Sequence, residues 1–265
     1  MILWCDGAHD PAENMRRDQA LLTAAESGAP PVLRLFEFEP PGITLGRNQA
    51  PERELDLDRC RADGVGWAVR PTGGRAIFHA EEWTYSVAAA REDREWGGAP
   101  ADTYARASGL ILRALVRLGV PADLVARHAS DRVTPGPRAR DSAAAPCFAS
   151  TARHEVVVRD QKLVGSAQRR TSRAWLQQGS ILLGPGHLRL ADYLAIPPDT
   201  RDPVRDSLRR ASGSAAPWLG SHPPLARLAD ALMAELGPRS QRVEGAPGVQ
   251  LLTVSGTGSY TATFV

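Results

Sequence analysis

The chain reads as an α+β protein, a mainly antiparallel or mixed sheet flanked by helices, and three observations carry that reading. Short β-rich runs come in clusters, isolated helical stretches stand between them, and the regular strand–helix alternation of a doubly wound parallel sheet is missing. No repeat with a period of roughly 20–50 residues occurs. No shift in composition divides the chain, so a single domain over residues 1–265 is expected.

The elements follow in order. Cys5 lies among apolar residues in a first strand. Asp10-Pro11 pairs a side chain that can cap a helix with a proline suited to its first position, and predicts a helix running to Gly28. Val32 to Glu39 alternates apolar and polar residues as a half-buried strand does, and Pro40-Pro41-Gly42 ends it before the short run Ile43-Thr44-Leu45. Gly66 to Arg70 and Trp83 to Ala88 are further strands, separated by a loop carrying Gly73-Gly74. After Asp102, Tyr104, Ala107, Ile111, Leu115 and Leu118 share one face of a helix that Gly119 and Pro121 stop. That apolar stripe is core. From Val133 to Pro146 proline, glycine, alanine, arginine and serine recur without a period, which predicts a mobile loop at about 133–146. Glu155 to Val158, Leu163 to Ala167 and Gly179 to Leu183 are three strands, the first two joined like a hairpin across Arg159-Asp160-Gln161. Helices at Leu188 to Leu194 and Ser221 to Leu236 follow, the latter closed by Gly237-Pro238, and then a hairpin from Val249 to Phe264.

Composition narrows the function. With 43% hydrophobic and 23% charged residues the chain is an ordinary globular protein. The 32 basic side chains nearly balance 30 acidic ones, so the net charge of +2 gives no reason to expect a nucleic-acid partner. No run of about eighteen apolar residues predicts a membrane span. The opening residues reach Asp6 with no basic region before it, unlike a signal peptide, and the expected home is the cytoplasm. Cys5, Cys60 and Cys147 fit neither a disulfide ladder nor a zinc knuckle, so free thiols are expected. The six histidines lack metal-ligand spacing and no Gly-x-Ser-x-Gly elbow is present, which argues against a metal centre and a serine triad.

Three places could carry chemistry. Arg70-Pro71-Thr72-Gly73-Gly74-Arg75 ends with His79 a few residues on, and its paired glycines let backbone approach a ligand, although hairpins use such pairs for shape alone. It lacks the Gly-Lys-Ser/Thr ending of a phosphate loop. Cys147, where the mobile loop meets a strand region, could be a nucleophilic thiol or a small buried hydrophobe. Lys162 is the only lysine in the chain, and a compact ammonium is not interchangeable with arginine in a confined site. Whether it reaches Cys147 is left to the fold.

Taken together, these segments resemble one family. Arg70 to His79, then Glu82-Trp83-Thr84-Tyr85-Ser86, Cys147-Phe148, Lys162 to Arg169, and Gln177-Gln178-Gly179-Ser180-Ile181-Leu182 look like the biotin/lipoate A/B protein ligase family, nearest its LipM-type octanoyltransferase branch. Asn14 to Leu22 is similar to the family's Asn-x-x-x-Asp helix, and Gly42 to Gln49 to its Thr-Leu-Gly-Arg-Asn-Gln segment. The likeness runs from about Trp4 to Leu183. Val69 and Ala80 depart from it, standing where the family often has arginine and an acid.

The resemblance implies an α+β catalytic domain acting on lipoyl, octanoyl or biotinyl groups bound for a lysine. In the octanoyltransferase branch a cysteine takes the acyl group from acyl carrier protein as a thioester and passes it to a lipoyl domain such as glycine cleavage H protein. Cys147 matches that nucleophile, and Lys162 is carried over beside the acyl carbonyl. Arg70, Gly73, Gly74, Arg75, Gly165, Ser166 and Ala167 are carried over to the substrate, with His79 at the end of the acyl pocket. No ATP, metal or other cofactor is expected, and the monomer is the expected state. An ATP-dependent lipoate ligase, an amidotransferase moving octanoyl between lipoyl domains, and a non-catalytic acyl-binding protein are the alternatives.

Overall fold

The structure is a computed structural model, and it describes residues 1–125 and 155–245. Cys147, Phe148, the loop expected at about 133–146 and the hairpin expected from Val249 to Phe264 lie outside the described residues.

The chain opens with β1 (Ile2–His9), α1 (Pro11–Glu26) and β2 (Val32–Phe38). The Asp10 side chain accepts from the Glu13 amide at 2.8 Å and Pro11 takes the first helical position, so the helix begins where its capping chemistry predicts. This is a parallel β–α–β unit, since β1 and β2 pair in parallel. Then come β3 (Gly42–Leu45), α2 (Pro51–Glu54), α3 (Leu57–Ala62), β4 (Trp67–Val69), β5 (Ile77–His79), β6 (Glu82–Ala90) and α4 (Pro100–Arg117). The remainder runs β7 (Ala122–Leu124), β8 (Val156–Val158), β9 (Gln161–Lys162), β10 (Val164–Arg170), β11 (Ala174–Leu182), α5 (Leu190–Tyr193), α6 (Pro198–Ala211), α7 (Ala216–Leu219), α8 (Leu225–Leu236) and β12 (Gln241–Glu244).

Among the described residues the main sheet has six strands in the order β10-β11-β6-β2-β1-β12, parallel around β1 and antiparallel from β2 outward to β10. It is therefore mixed, as expected. Successive side chains of a strand point to opposite faces. Trp4, Val32, Ala88 and Leu176 meet Leu21, Leu22 and Ala25 of α1 on one face. Leu3, Leu33, Leu35, Tyr85, Val87 and Trp175 face the other way, against Ile111 and Leu115 of α4 and Leu228 and Leu232 of α8. A smaller sheet, β4-β3-β5, packs Ile43, Leu45 and Phe78 against Leu188, Tyr193 and Leu208.

One expected pairing differs. The hairpin across Arg159 and Asp160 forms, both residues taking positive φ of 48° and 62° as a tight primed turn requires, but it joins β8 to the two-residue β9. Leu163 still donates its amide to the Val156 carbonyl of β8 at 3.0 Å, but Val164 to Ala167 do not continue along β8. They enter the main sheet as β10 and pair with β11, Gly165 opposite Ser180 and Ser166 opposite Gly179. Buried Val164 and Leu163 are drawn into the larger core, which outweighs extension of a small ribbon.

Candidate active site

A buried polar network fixes the floor of the site. Arg34 is fully buried (0% exposed). It donates to Asp6 Oδ2 at 2.7 Å, Asp18 Oδ1 at 2.7 Å and Asn14 Oδ1 at 2.6 Å, and its guanidinium lies 3.8 Å from the centre of the Phe36 ring. Asn14 in turn donates to the carbonyls of His9 and Glu37, tying α1 to the ends of β1 and β2. Asp18 accepts from Ser86 Oγ at 2.7 Å and Gln178 Nε2 at 2.5 Å, and Gln178 Oε1 accepts from Thr72 Oγ1 at 2.6 Å. The Asn-x-x-x-Asp pair of α1 thereby links the helix, two strands of the main sheet and the glycine loop.

The glycine loop is held from beneath by Arg70. Its guanidinium donates to the carbonyl of Gly73 at 3.0 and 2.8 Å, that of Arg75 at 2.7 Å, and Thr44 O and Oγ1, both at 3.2 Å. A planar five-donor group can grip several carbonyls at once, which an ammonium could not. Gly74 takes φ of +93°. A Cβ on Gly46 would sit 2.0 Å from the Gly74 carbonyl oxygen, so two backbones touch here with no side chain between them.

His79 lies at the end of β5 and stacks on Phe38, with ring centres 3.9 Å apart. Its Nδ1 is 2.6 Å from Glu82 Oε1, which also accepts from Thr84 Oγ1 at 2.8 Å and Ser180 Oγ at 3.0 Å. Nε2 is 2.7 Å from Thr44 Oγ1. A carboxylate facing Nδ1 assigns the proton to that nitrogen, and Nε2 then accepts from the Thr44 hydroxyl. Three donors converging on one oxygen turn the polar atoms of this wall toward each other and leave carbon facing inward.

These walls line a narrow cavity of about 30 Å³. Arg70, His79, Gly165, Ser166 and Ala167 line it, together with Met15, Phe36, Phe38 and Gly179. The structure thus brings together five of the residues singled out in the sequence. Gly73, Gly74 and Arg75 stand behind Arg70, their carbonyls or backbone packed against it and Gly46, and are not among the lining residues. Lys162 is also outside the lining. It is 4% exposed and its Nζ donates to Glu155 Oε1 at 2.7 Å, at the end of β9 just before the chain enters the main sheet as β10.

Gly179 shapes one wall. Its absent side chain makes room for the Tyr85 ring, for a Cβ there would lie 2.4 Å from Tyr85 Cε1. Tyr85 crosses the sheet to reach Ser166 Oγ at 2.8 Å and accepts from Gln177 Nε2 at 3.1 Å. Burial pushes the Tyr85 phenol up, so it stays protonated. Gly179→Ala is expected to displace the ring and cost about 1–3 kcal/mol. Urea unfolding measures the loss, and a crystal structure of the variant would show the Tyr85–Ser166 bond broken.

Glu82, Thr44, Tyr85 and Gln178 are the site residues that sequence reasoning left without a role. All four stood in recognised segments, but only the fold shows Glu82 gathering His79, Thr84 and Ser180 and Gln178 joining Asp18 to Thr72. Cys5 and Cys60 belong to no site. Burial pushes both thiols up, the opposite of an activated nucleophile. Among the described residues no group of histidine, cysteine and carboxylate side chains is arranged to hold a metal ion, and no helix is long and apolar enough to cross a membrane.

The chain is similar to known proteins in sequence and in fold. The model of the lipoyl protein ligase A/B catalytic domain matches residues 10–237. An octanoyltransferase LipM of Kyrpidia tusciae is 38% identical over 209 residues, covering 77% of this chain and 72% of that protein. Another, of Symbiobacterium thermophilum, is 42% identical over 180 residues, covering 67% of this chain and 64% of that protein. Among solved structures, lipoate-protein ligase A bound with ATP superposes with a TM-score of 0.66 at 18% identity, covering 91% of this chain and 88% of that one. A bipartite lipoate protein ligase of Thermoplasma acidophilum gives 0.65 at 19% identity, covering 91% and 86%. At such identities the superpositions speak to the fold alone.

The chain belongs to the lipoyl protein ligase A/B catalytic domain family. With curated octanoyltransferases as its relatives, it is an enzyme of the acyltransferase class.

Proposed function

We propose that the chain is an octanoyltransferase of lipoate biosynthesis, moving octanoyl from octanoyl-acyl carrier protein through a Cys147 thioester to a lysine of a lipoyl domain, glycine cleavage H protein among them. The observation that carries the reading is the pocket between β5, β10 and β11. The polar side chains that line it are bonded within the wall, as a bound acyl chain demands, and behind them Glu82 Oε1 gathers three donors while its Oε2 has no partner among the described residues. The 38% identity to an octanoyltransferase supports it from the sequence side. Each methylene buried in such a pocket contributes about 0.8 kcal/mol, which sets a length preference.

In the first step the Cys147 thiolate attacks the thioester carbonyl. A new sulfur–carbon bond forms, the donor's sulfur–carbon bond breaks, and the carrier leaves as thiolate. Two thiolates of similar basicity exchange, so no ATP is consumed. In the second step an acceptor lysine, as the neutral amine, attacks the acyl-enzyme. A carbon–nitrogen bond forms, Cys147 leaves, and the amine proton passes to the departing sulfur or to solvent. Lys162 serves as the cation that steadies the developing oxyanion. His79, held in one tautomer by Glu82, closes the tail end of the pocket, and Arg70 keeps the glycine loop in place beside it.

Intact-protein mass spectrometry after mixing with octanoyl-acyl carrier protein, without ATP, tests the reading. One octanoyl increment is expected on the wild type, removable by hydroxylamine and absent from Cys147→Ala. Lack of the increment on the wild type, with lipoate and ATP instead yielding lipoylated acceptor, would replace transfer with ligation.

A further inference from the structure

Outside the acyl pocket, α1 and β4 border an open groove that shares Met15 and Arg70 with the pocket wall. Two large apolar side chains stand exposed on β4, Trp67 at 38% and Val69 at 41%. That strand is an edge of its three-stranded sheet. Arg16, Arg47 and Arg169 surround the pair. Arg16 is matched by Glu13 at 2.7 Å, but Arg47 is exposed and makes no ion pair with any described residue. In a chain of net charge +2 this is a local concentration of guanidinium groups around exposed indole and isopropyl surface. Apolar residues ringed by arginine are the composition of a protein-docking patch.

A second groove lies on the other side of the pocket, sharing Phe38 and His79 with it, and has the opposite sign. Glu37, Glu39, Glu81 and Glu82 line it. The pocket therefore sits between a basic face and an acidic one.

We propose that the basic face, Arg16, Arg47, Trp67, Val69 and Arg169, docks the acyl donor carrier through the anionic phosphodiester of its pantetheine arm. This rests on the transfer reading above and adds where the donor binds. Guanidinium groups match phosphate oxygens in pairs, and Trp67 offers a flat apolar surface beside them. An arm lying in the groove runs toward Met15 and Arg70, the residues that groove and pocket share. The acceptor is the poorer occupant. It brings a lysine ammonium, which arginines repel and the acidic groove attracts.

Self-acylation of Arg47→Glu and of Trp67→Ser, measured with two donors, tests the proposal. One donor is octanoyl-acyl carrier protein and the other octanoyl-N-acetylcysteamine, a neutral thioester with neither phosphate nor protein. With the carrier, the donor concentration that gives half the maximal acylation rate is expected to rise roughly tenfold in Arg47→Glu at low salt, with the maximal rate constant near wild type and a flattened salt dependence. With the small thioester both variants should match wild type. Equal loss with both donors, or no loss with the carrier, would overturn the assignment. So would a defect confined to transfer onto the lipoyl domain, which would give this face to the acceptor. A wild type that neither donor acylates would instead count against the transfer reading itself.

Discussion

Lys162→Met is expected to slow formation of the acyl-enzyme by about a hundredfold or more, the usual loss when one donor to a developing oxyanion is removed. The ammonium is buried with its carboxylate partner, Glu155, 2.7 Å away, so its charge acts with little screening by water. Lys162→Arg keeps the charge but spreads it over a planar fork in a space that holds a point-like group, and should recover only part of the rate. Rapid-quench mass spectrometry of the octanoyl increment gives the rates, and thermal unfolding of the same samples separates chemistry from folding. A folded Lys162→Met that acylates at the wild-type rate would remove Lys162 from the reaction.

The second large effect is on stability. Arg34→Met is expected to cost about 3–5 kcal/mol, because it leaves Asp6 and Asp18 sharing a buried site without the cation between them. Arg17 still reaches Asp6 at 2.5 Å, and Ser86 and Gln178 still donate to Asp18, which keeps the loss from being larger. Arg34→Lys should restore less than half of it. One ammonium cannot address Asp6, Asp18 and the Asn14 side chain together. Urea unfolding with an unchanged m-value is the measurement. A loss under about 1 kcal/mol would mean the network contributes geometry but little stability.

Local signals account for the parts of the fold that the sequence made legible. Asp10-Pro11 marks the start of α1 because capping is settled within four residues, and Val32 to Phe38 is legible as a strand although it is buried on both faces rather than half-buried, its polar Arg34 being taken up by Asp6, Asn14 and Asp18. β5 escaped notice because Ile77, Phe78 and His79 are all buried, so no alternation betrays a strand. α6 escaped because its charged sequence carries a proline, Pro203, and buries only Val204 and Leu208. Within the site, the recognised segments located Arg70, His79 and Gly165 to Ala167. Glu82 and Asp18 have roles only once distant chain segments meet, Asp18 touching Ser86 and Gln178 at once. Such three-way satisfaction of a buried carboxylate has no linear signature.

The parallel pairing of β1 with β12 has a bearing on how the molecule assembles. Ile2 pairs with Gln241 and Cys5 with Glu244, so one of the first strands to emerge during synthesis is completed by the last strand described. Until residue 244 has left the ribosome, β1 offers a free row of amides and carbonyls to any passing extended chain. Such non-local closure is also slow, because most of the chain must be ordered before the pairing can form. β12 itself bears Arg242 and Glu244, with Arg242 bonded to Asp230 and Glu244. Among the described residues the sheet therefore ends in a strand that carries charged side chains.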